Sequence, residues 1–220
     1  MTIRGLVFDF DGTILDTEEP DYLAWQEVYV AHGTTLPLEV WAEHIGTSGD
    51  VFDPVAYLEG QIARPLDGVA IREERRVRLR ELIVAKTVMP GVQDYLTEAV
   101  RCGLGLAVAS SSPRAWVAGH LERLGLDAYF AAIITSDDVP RVKPDPALYR
   151  AALAALGLSG VEAIAFEDSA HGLAAAKAAG LHCVVVPNSA TRNLVFHLAD
   201  RVVASLADVP LGDLIAAFGG

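Results

Sequence analysis

The sequence predicts an α/β fold, a parallel sheet covered by helices and broken early by a helical insert, and three observations predict it. Six short apolar runs rich in β-branched residues fall at 3–8, 104–109, 131–135, 163–166, 183–186 and 201–204, as strands buried on both faces do. Helix-like stretches separate most of these runs, and such alternation builds right-handed crossovers between parallel strands. Between residues 17 and 87 the alternation fails, and helical patterns follow one another without a strand.

The first run leads into Asp9-Phe10-Asp11-Gly12-Thr13, and Asp16 with Glu19 is spaced as a capping box for a helix over 18–31. Further helices are expected over 38–45, 51–63 and 69–84. The sheet domain is therefore expected to comprise 1–16 and 88–220, the insert 17–87. Met89-Pro90-Gly91 marks the turn back to the sheet. Ser112-Pro113 and Asp145-Pro146 each place a capping side chain before a proline suited to the first helical position. Trp116, Leu121 and Leu124, then Leu148, Ala151, Ala152 and Ala155, follow at helical spacing.

Apolar residues make up 52% of the chain and charged residues 21%, the balance of a folded domain that closes its core without staples. The net charge of -12 opposes binding to a nucleic-acid backbone, which needs a basic surface. A phosphorylated ligand would then have to be held by positive charge concentrated locally. Cys102 and Cys183 stand in no metal-binding spacing and read as small buried apolar residues. No apolar run reaches spanning length and the first residues lack a signal-peptide layout, so a cytoplasmic protein without a membrane partner is expected. The stretch 72–81 carries Arg72, Arg75, Arg76, Arg78 and Arg80 among Glu73, Glu74 and Glu81, and reads first as a solvated helix face with paired charges.

Ligands of open parallel sheets bind beyond the carboxyl ends of the strands, and four predicted strand ends carry chemistry. They hold Asp9 and Asp11; Ser110, Ser111 and Ser112; Asp137 and Asp138 leading to Lys143-Pro144; and Glu167-Asp168-Ser169. Asp9 and Asp11, two apart, project to one face, and like charges so close need a cation. Glu167 and Asp168 would add hard oxygen donors, a set suited to magnesium. One carboxylate of the Asp9/Asp11 pair can then attack phosphorus while the other serves as acid and base. Lys143 and the Ser110 hydroxyl, with neighbouring backbone N–H groups, would hold the phosphoryl oxygens. Asp-x-Asp-Gly by itself is equally a turn or a calcium-loop fragment, and serine runs usually cap helices; the convergence of four strand ends favours chemistry.

As a set, Phe8-Asp9-Phe10-Asp11-Gly12-Thr13, Ser110, Lys143-Pro144-Asp145-Pro146 and Glu167-Asp168-Ser169 with Gly172 resemble the four motifs of the haloacid dehalogenase superfamily of phosphotransferases. The resemblance implies a Rossmann-like three-layer sandwich with a small helical cap at 17–87 and one Mg2+. It implies Asp9 as nucleophile and metal ligand, and Asp11 as general acid/base with its main-chain carbonyl on the metal. Glu167 and Asp168 would complete the metal side, and Ser110, Ser111 and Lys143 would bind phosphate and substrate. The insert, with Trp25 on its first helix, is similar to the cap of the β-phosphoglucomutase and phosphoglycolate phosphatase branch, which closes over the site and implies a small substrate. The mutases of that branch carry a histidine near the position of Asp21, and a Gly-x-Ser-Arg segment where this chain has Gly46-Thr47-Ser48-Gly49. Without that arginine a second phosphate lacks its charged partner.

The expectation is a magnesium-dependent phosphatase acting on a small phosphomonoester such as a sugar phosphate, a polyol phosphate or phosphoglycolate. A phosphosugar mutase in which Arg72, Arg75 or Arg76 replaces the missing base is the alternative, and a non-catalytic binding domain a further one. Dehalogenation by the same aspartate would leave Asp11, Glu167 and Asp168 without a purpose. His171 reads as a surface helix position.

Overall fold

A computed structural model describes residues 2–46 and 52–219, so Thr47, Ser48 and Gly49 lie outside the described residues. All six expected strands form, in one parallel sheet: β1 (Gly5–Phe8), β2 (Gly105–Ala109), β3 (Ala132–Ile134), β4 (Ala163–Glu167), β5 (His182–Val185) and β6 (Arg201–Val202). Their order is β3-β2-β1-β4-β5-β6, with β1 at the centre. Successive strands leave β1 in opposite directions, so a crevice opens beyond the carboxyl ends of β1 and β4, where such sheets bind ligands.

The helices are α1 (Glu18–Ala31), α2 (Leu38–Ala42), α3 (Pro54–Ile62), α4 (Gly68–Ile83), α5 (Val92–Arg101), α6 (Arg114–Leu124), α7 (Ala147–Leu156), α8 (Ala170–Ala178) and α9 (Leu211–Phe218). Among the described residues none is long and apolar enough to cross a membrane.

The two-residue period of the strands sorts their side chains onto two faces. Leu6, Phe8, Leu106, Val108, Ile164, Phe166 and Val184 join a core with α5, α6 and α9, while Val7, Ala107, Ala109, Ala165, Cys183 and Val185 join one with α7 and α8. Phe8 stacks on Phe166 at 4.6 Å between centroids and Tyr95 meets Phe166 edge-on, contacts worth about 0.5–1.5 kcal/mol each beyond their burial. Alanines on the second face leave room for Tyr149 of α7, which is wholly buried. A separate apolar cluster of Trp25, Tyr29, Leu36, Val55, Leu58 and Ile71 holds α1, α3 and α4 together, and the Tyr29 hydroxyl donates to Pro54 O at 2.6 Å.

Local chemistry moves several boundaries. Asp53 and Asp67 accept from the backbone N–H groups two and three residues ahead, so α3 opens at Pro54 and α4 at Gly68. Asp16 accepts from Glu19 N at 3.3 Å, but Glu19 gives its own carboxylate to Lys86, so only half of the expected capping box forms. Pro113, not Ser112, is the N-cap of α6, and Ser112 turns its hydroxyl to the carboxylate of Asp11 at 2.6 Å. A charged acceptor competes better for a hydroxyl than the start of a helix does. Asp145 is likewise not the N-cap of α7: Pro146 holds that position, and Asp145 accepts from Ala147 N from one residue before it. Asp137 and Asp138 are structural: they accept from Arg114, and Asp138 also from Thr135. Cys183 is buried, whereas Cys102 is exposed at the end of α5.

Candidate active site

The β1–β4 ladder continues one residue past β1, because Asp9 N donates to Phe166 O at 2.9 Å. That register sets Asp9 beside Glu167, the last residue of β4. The next residue, Asp168, precedes α8, whose N-cap Ser169 accepts from Gly172 N. Asp9, Glu167 and Asp168 are buried and place one carboxylate oxygen each within 4.8 Å of one another. Lys143, also buried, inserts its ammonium between Asp9 Oδ1 at 2.5 Å and Glu167 Oε1 at 2.6 Å.

The electrostatics of this cluster are unbalanced. Burial pushes the Asp9 carboxyl up to about 8 and Asp168 well above the usual carboxylate range; Lys143 opposes both shifts, and the neighbouring carboxylates add to them. Three buried carboxylates stand against one ammonium, which pairs with Asp9 and Glu167, and when all three are ionised the excess negative charge is what one divalent cation would balance. The oxygens are unequally occupied. Glu167 Oε1 takes bonds from Lys143 and Tyr149, and Oε2 from Asp168 N and Ser169 Oγ. Asp168 Oδ2 accepts from Asn188 Nδ2 at 2.6 Å, yet Asp168 Oδ1 is buried with no partner among the described residues. A buried, unpaired carboxylate oxygen is costly, and a hard cation would satisfy it.

Two glycines protect this arrangement. At Gly12, with φ of +79°, a Cβ would overlap Asp168 and Asn188, and at Gly172 it would overlap the Glu167 carboxylate. Gly172→Ala is expected to displace Glu167, lower the unfolding free energy by about 1–3 kcal/mol and weaken divalent-cation binding. Urea denaturation and a calorimetric magnesium titration check both.

Asp11 stands outside the three-acid group. Its Oδ1 accepts from Thr17 Oγ1 at 3.0 Å and Trp116 Nε1 at 2.8 Å, and its Oδ2 from Ser110 Oγ at 3.3 Å and Ser112 Oγ at 2.6 Å. The Ser111 hydroxyl donates to Gly46 O at 3.2 Å, linking the sheet domain to the insert. A cleft of about 1180 Å³ joins these groups to the insert, where Glu18, Asp21, Trp25, Arg72 and Arg75 line the facing wall.

Residues 6–186 match the pattern of the "Haloacid dehalogenase-like hydrolase" family. The chain belongs to that family. It is similar to "Putative phosphatase YhcW" of Bacillus subtilis, 45% identical over 213 residues that cover 97% of this chain and 96% of that one. It is also similar to hexitol phosphatase B of Escherichia coli, 29% identical and covering 97% of each chain. An Asp→Asn variant of CbbY from Rhodobacter sphaeroides, solved with xylulose-(1,5)bisphosphate, superposes with a TM-score of 0.78 at 33% identity, covering 96% of this chain and 99% of that one. The six-stranded Rossmann-like core is the family fold, and the enzyme is a phosphoric monoester hydrolase of the family.

Within this hydrolase the sequence-predicted residues converge: Asp9, Lys143, Glu167 and Asp168 meet in one buried cluster, and Asp11 accepts from Ser110 at the end of the neighbouring strand β2. Others carry no recognisable motif. Tyr149 donates to Glu167 at 2.5 Å and Asn188 to Asp168, each orienting an acid from a distant helix or loop. Glu18 looks in sequence like an ordinary acid at a helix start. In the fold it lines the cleft, where burial, with Asp11, Asp9 and Asp16, pushes it up to about 8 against the pull of Arg75.

The arginine-rich helix is solvated only in part. Arg76 and Arg78 make exposed pairs with Glu73, Glu27 and Glu81. Arg75 instead turns inward over the Trp25 ring, 5.3 Å from its centroid, and pairs with Asp21 of α1. Arg72, in the cleft wall, is held in a bidentate pair by Asp53.

Proposed function

We propose that the enzyme hydrolyses a small sugar or polyol phosphate through an aspartyl-phosphate on Asp9. The observation that carries this reading is the buried cluster, in which a strand-end carboxylate lies against an ammonium and beside an acid oxygen that lacks a partner. Asp9, the free oxygen of Asp168 and the main-chain carbonyl of Asp11 would hold a magnesium ion, with Glu167 positioning Lys143 beside them; bound there, the ion would offset the charge of the substrate phosphate.

An Asp9 carboxylate oxygen attacks phosphorus as the bond to the leaving oxygen breaks, and Asp11 gives that oxygen a proton. Asp11, now a carboxylate, takes a proton from water. The water oxygen attacks phosphorus, the Asp9–phosphorus bond breaks, and inorganic phosphate leaves with Asp9 restored. In this reading Lys143 and Ser110 would hold phosphoryl oxygens as charge spreads over them. The residues 17–87 form the cap in this reading, and their cleft wall selects the rest of the substrate.

Water is favoured over a sugar hydroxyl as the second acceptor because the three arginines that the sequence offered for a distal phosphate each meet a carboxylate, although Arg80 also lines the cleft. Arg75 is paired with Asp21, Arg72 with Asp53 and Arg76 with Glu73. Asp21→Asn is therefore expected to uncover Arg75 and lower KM for a sugar bisphosphate by about fivefold, with KM for a polyol monophosphate unchanged. Steady-state assays on both substrates check this.

Phosphate release from a panel of phosphorylated metabolites, with magnesium and then with a chelator, tests the activity. Release from sugar or polyol phosphates that stops on chelation supports the reading. Isomer formation from a hexose 1-phosphate without net phosphate release would replace it with a mutase.

A further inference from the structure

We propose that Trp116 is a positioning residue for Asp11, fixing the orientation of the carboxylate that exchanges the proton; this rests on the role of Asp11 proposed above. Of the four donors on Asp11 among the described residues, three are the hydroxyls of Thr17, Ser110 and Ser112. A hydroxyl rotates and can donate or accept, whereas an indole N–H can only donate. Trp116 Nε1, at 2.8 Å from Oδ1, is thus the one partner that always requires an acceptor oxygen in the same place. It selects which face of the carboxylate turns away from the hydroxyl pair on Oδ2.

The indole is itself held. His120, one turn further along α6, meets it edge-on at 4.5 Å between centroids and stacks on Phe10, the residue between the two aspartates. Arg123 Nε donates to His120 Nδ1 at 3.3 Å, and the same guanidinium reaches the carbonyls of Val84 and Lys86, where the chain returns from the insert to the sheet. The ring is thus braced from behind by its own helix and by the segment that closes the insert. Trp116 lines the same cleft as Asp9 and Asp11, so its N–H acts where the leaving group departs.

The test compares single-turnover release of phenol from phenyl phosphate, whose leaving oxygen needs a proton, with release of nitrophenol from p-nitrophenyl phosphate, which needs little help. Trp116→Phe keeps the ring and removes the N–H. It is expected to slow phenol release roughly tenfold with KM little changed, to slow nitrophenol release much less, and to add no further loss in an Asp11→Asn background. Equal slowing of both substrates, or additive losses, overturns the role of Trp116. An Asp11→Asn enzyme with no leaving-group preference would instead overturn the acid role of Asp11, whatever Trp116 does. A second measurement does not depend on Trp116→Phe folding. The Trp116 indole proton resonance, assigned by elimination with Trp25→Phe and Trp41→Phe, should move upfield in Asp11→Ala; an unmoved resonance means the bond is absent and the proposal fails.

Discussion

Asp9→Asn is expected to reduce phosphate release by about 10⁴-fold or more while leaving the protein folded. An amide nitrogen or carbonyl at this position is a poor nucleophile, so the proposed first half-reaction should stop and no acyl-phosphate should accumulate. The fold should survive because the substitution removes one of three crowded carboxylates. Lys143 keeps Glu167 Oε1 at 2.6 Å as a partner. Asp9 also contributes to the sheet through its main chain, donating to Phe166 O, and that bond is untouched. Rapid-quench measurement of phosphoenzyme and of released phosphate, beside a thermal unfolding curve, checks both halves. Substantial turnover by Asp9→Asn would remove the nucleophile assignment.

Lys143→Met should have the largest effect on stability. Methionine fills much the same volume but leaves the Asp9 and Glu167 carboxylates buried without their shared counter-charge, and stripping one partner from a buried ion pair costs about 3–5 kcal/mol. Tyr149 still donates to Glu167, which tempers but does not replace the lost ammonium. Activity should also disappear, since the ammonium proposed to hold the phosphoryl oxygens is gone. Magnesium gives a further discriminant. A cation that binds the folded cluster stabilises it by linkage, and the variant, with one more uncompensated charge, should gain more from saturating magnesium than the natural protein does. Urea denaturation with and without magnesium measures this; equal gains would mean that Lys143 does not influence cation binding, and no gain in either protein that the cluster binds no cation.

Strand ends were legible from the sequence because their chemistry is local. A buried parallel strand is a short apolar run, and polar residues that break it at the carboxyl end stand out, as Asp9, Ser110 and Glu167 do. Helix starts were less legible. The side chains of Ser112 and Glu19 suit capping, but each found a charged partner from another part of the chain, Asp11 and Lys86. Arg75 looked like its neighbours on a charged helix, and only the packing of α1 against α4 turned it over Trp25 and onto Asp21.

The sequence by itself determined the α/β architecture, the helical insert and the set of acids, hydroxyls and lysine at four strand ends, because strand and helix periodicities and strand-end motifs are written within a few residues. Only the tertiary structure decided that Lys143 lies between Asp9 and Glu167, that Asp168 keeps one oxygen without a partner among the described residues, and that Trp116 reaches Asp11. Those relations join residues far apart in the chain, and hydrogen bonds and ion pairs act over a few ångströms of space, so they exist only after the strands have taken their register.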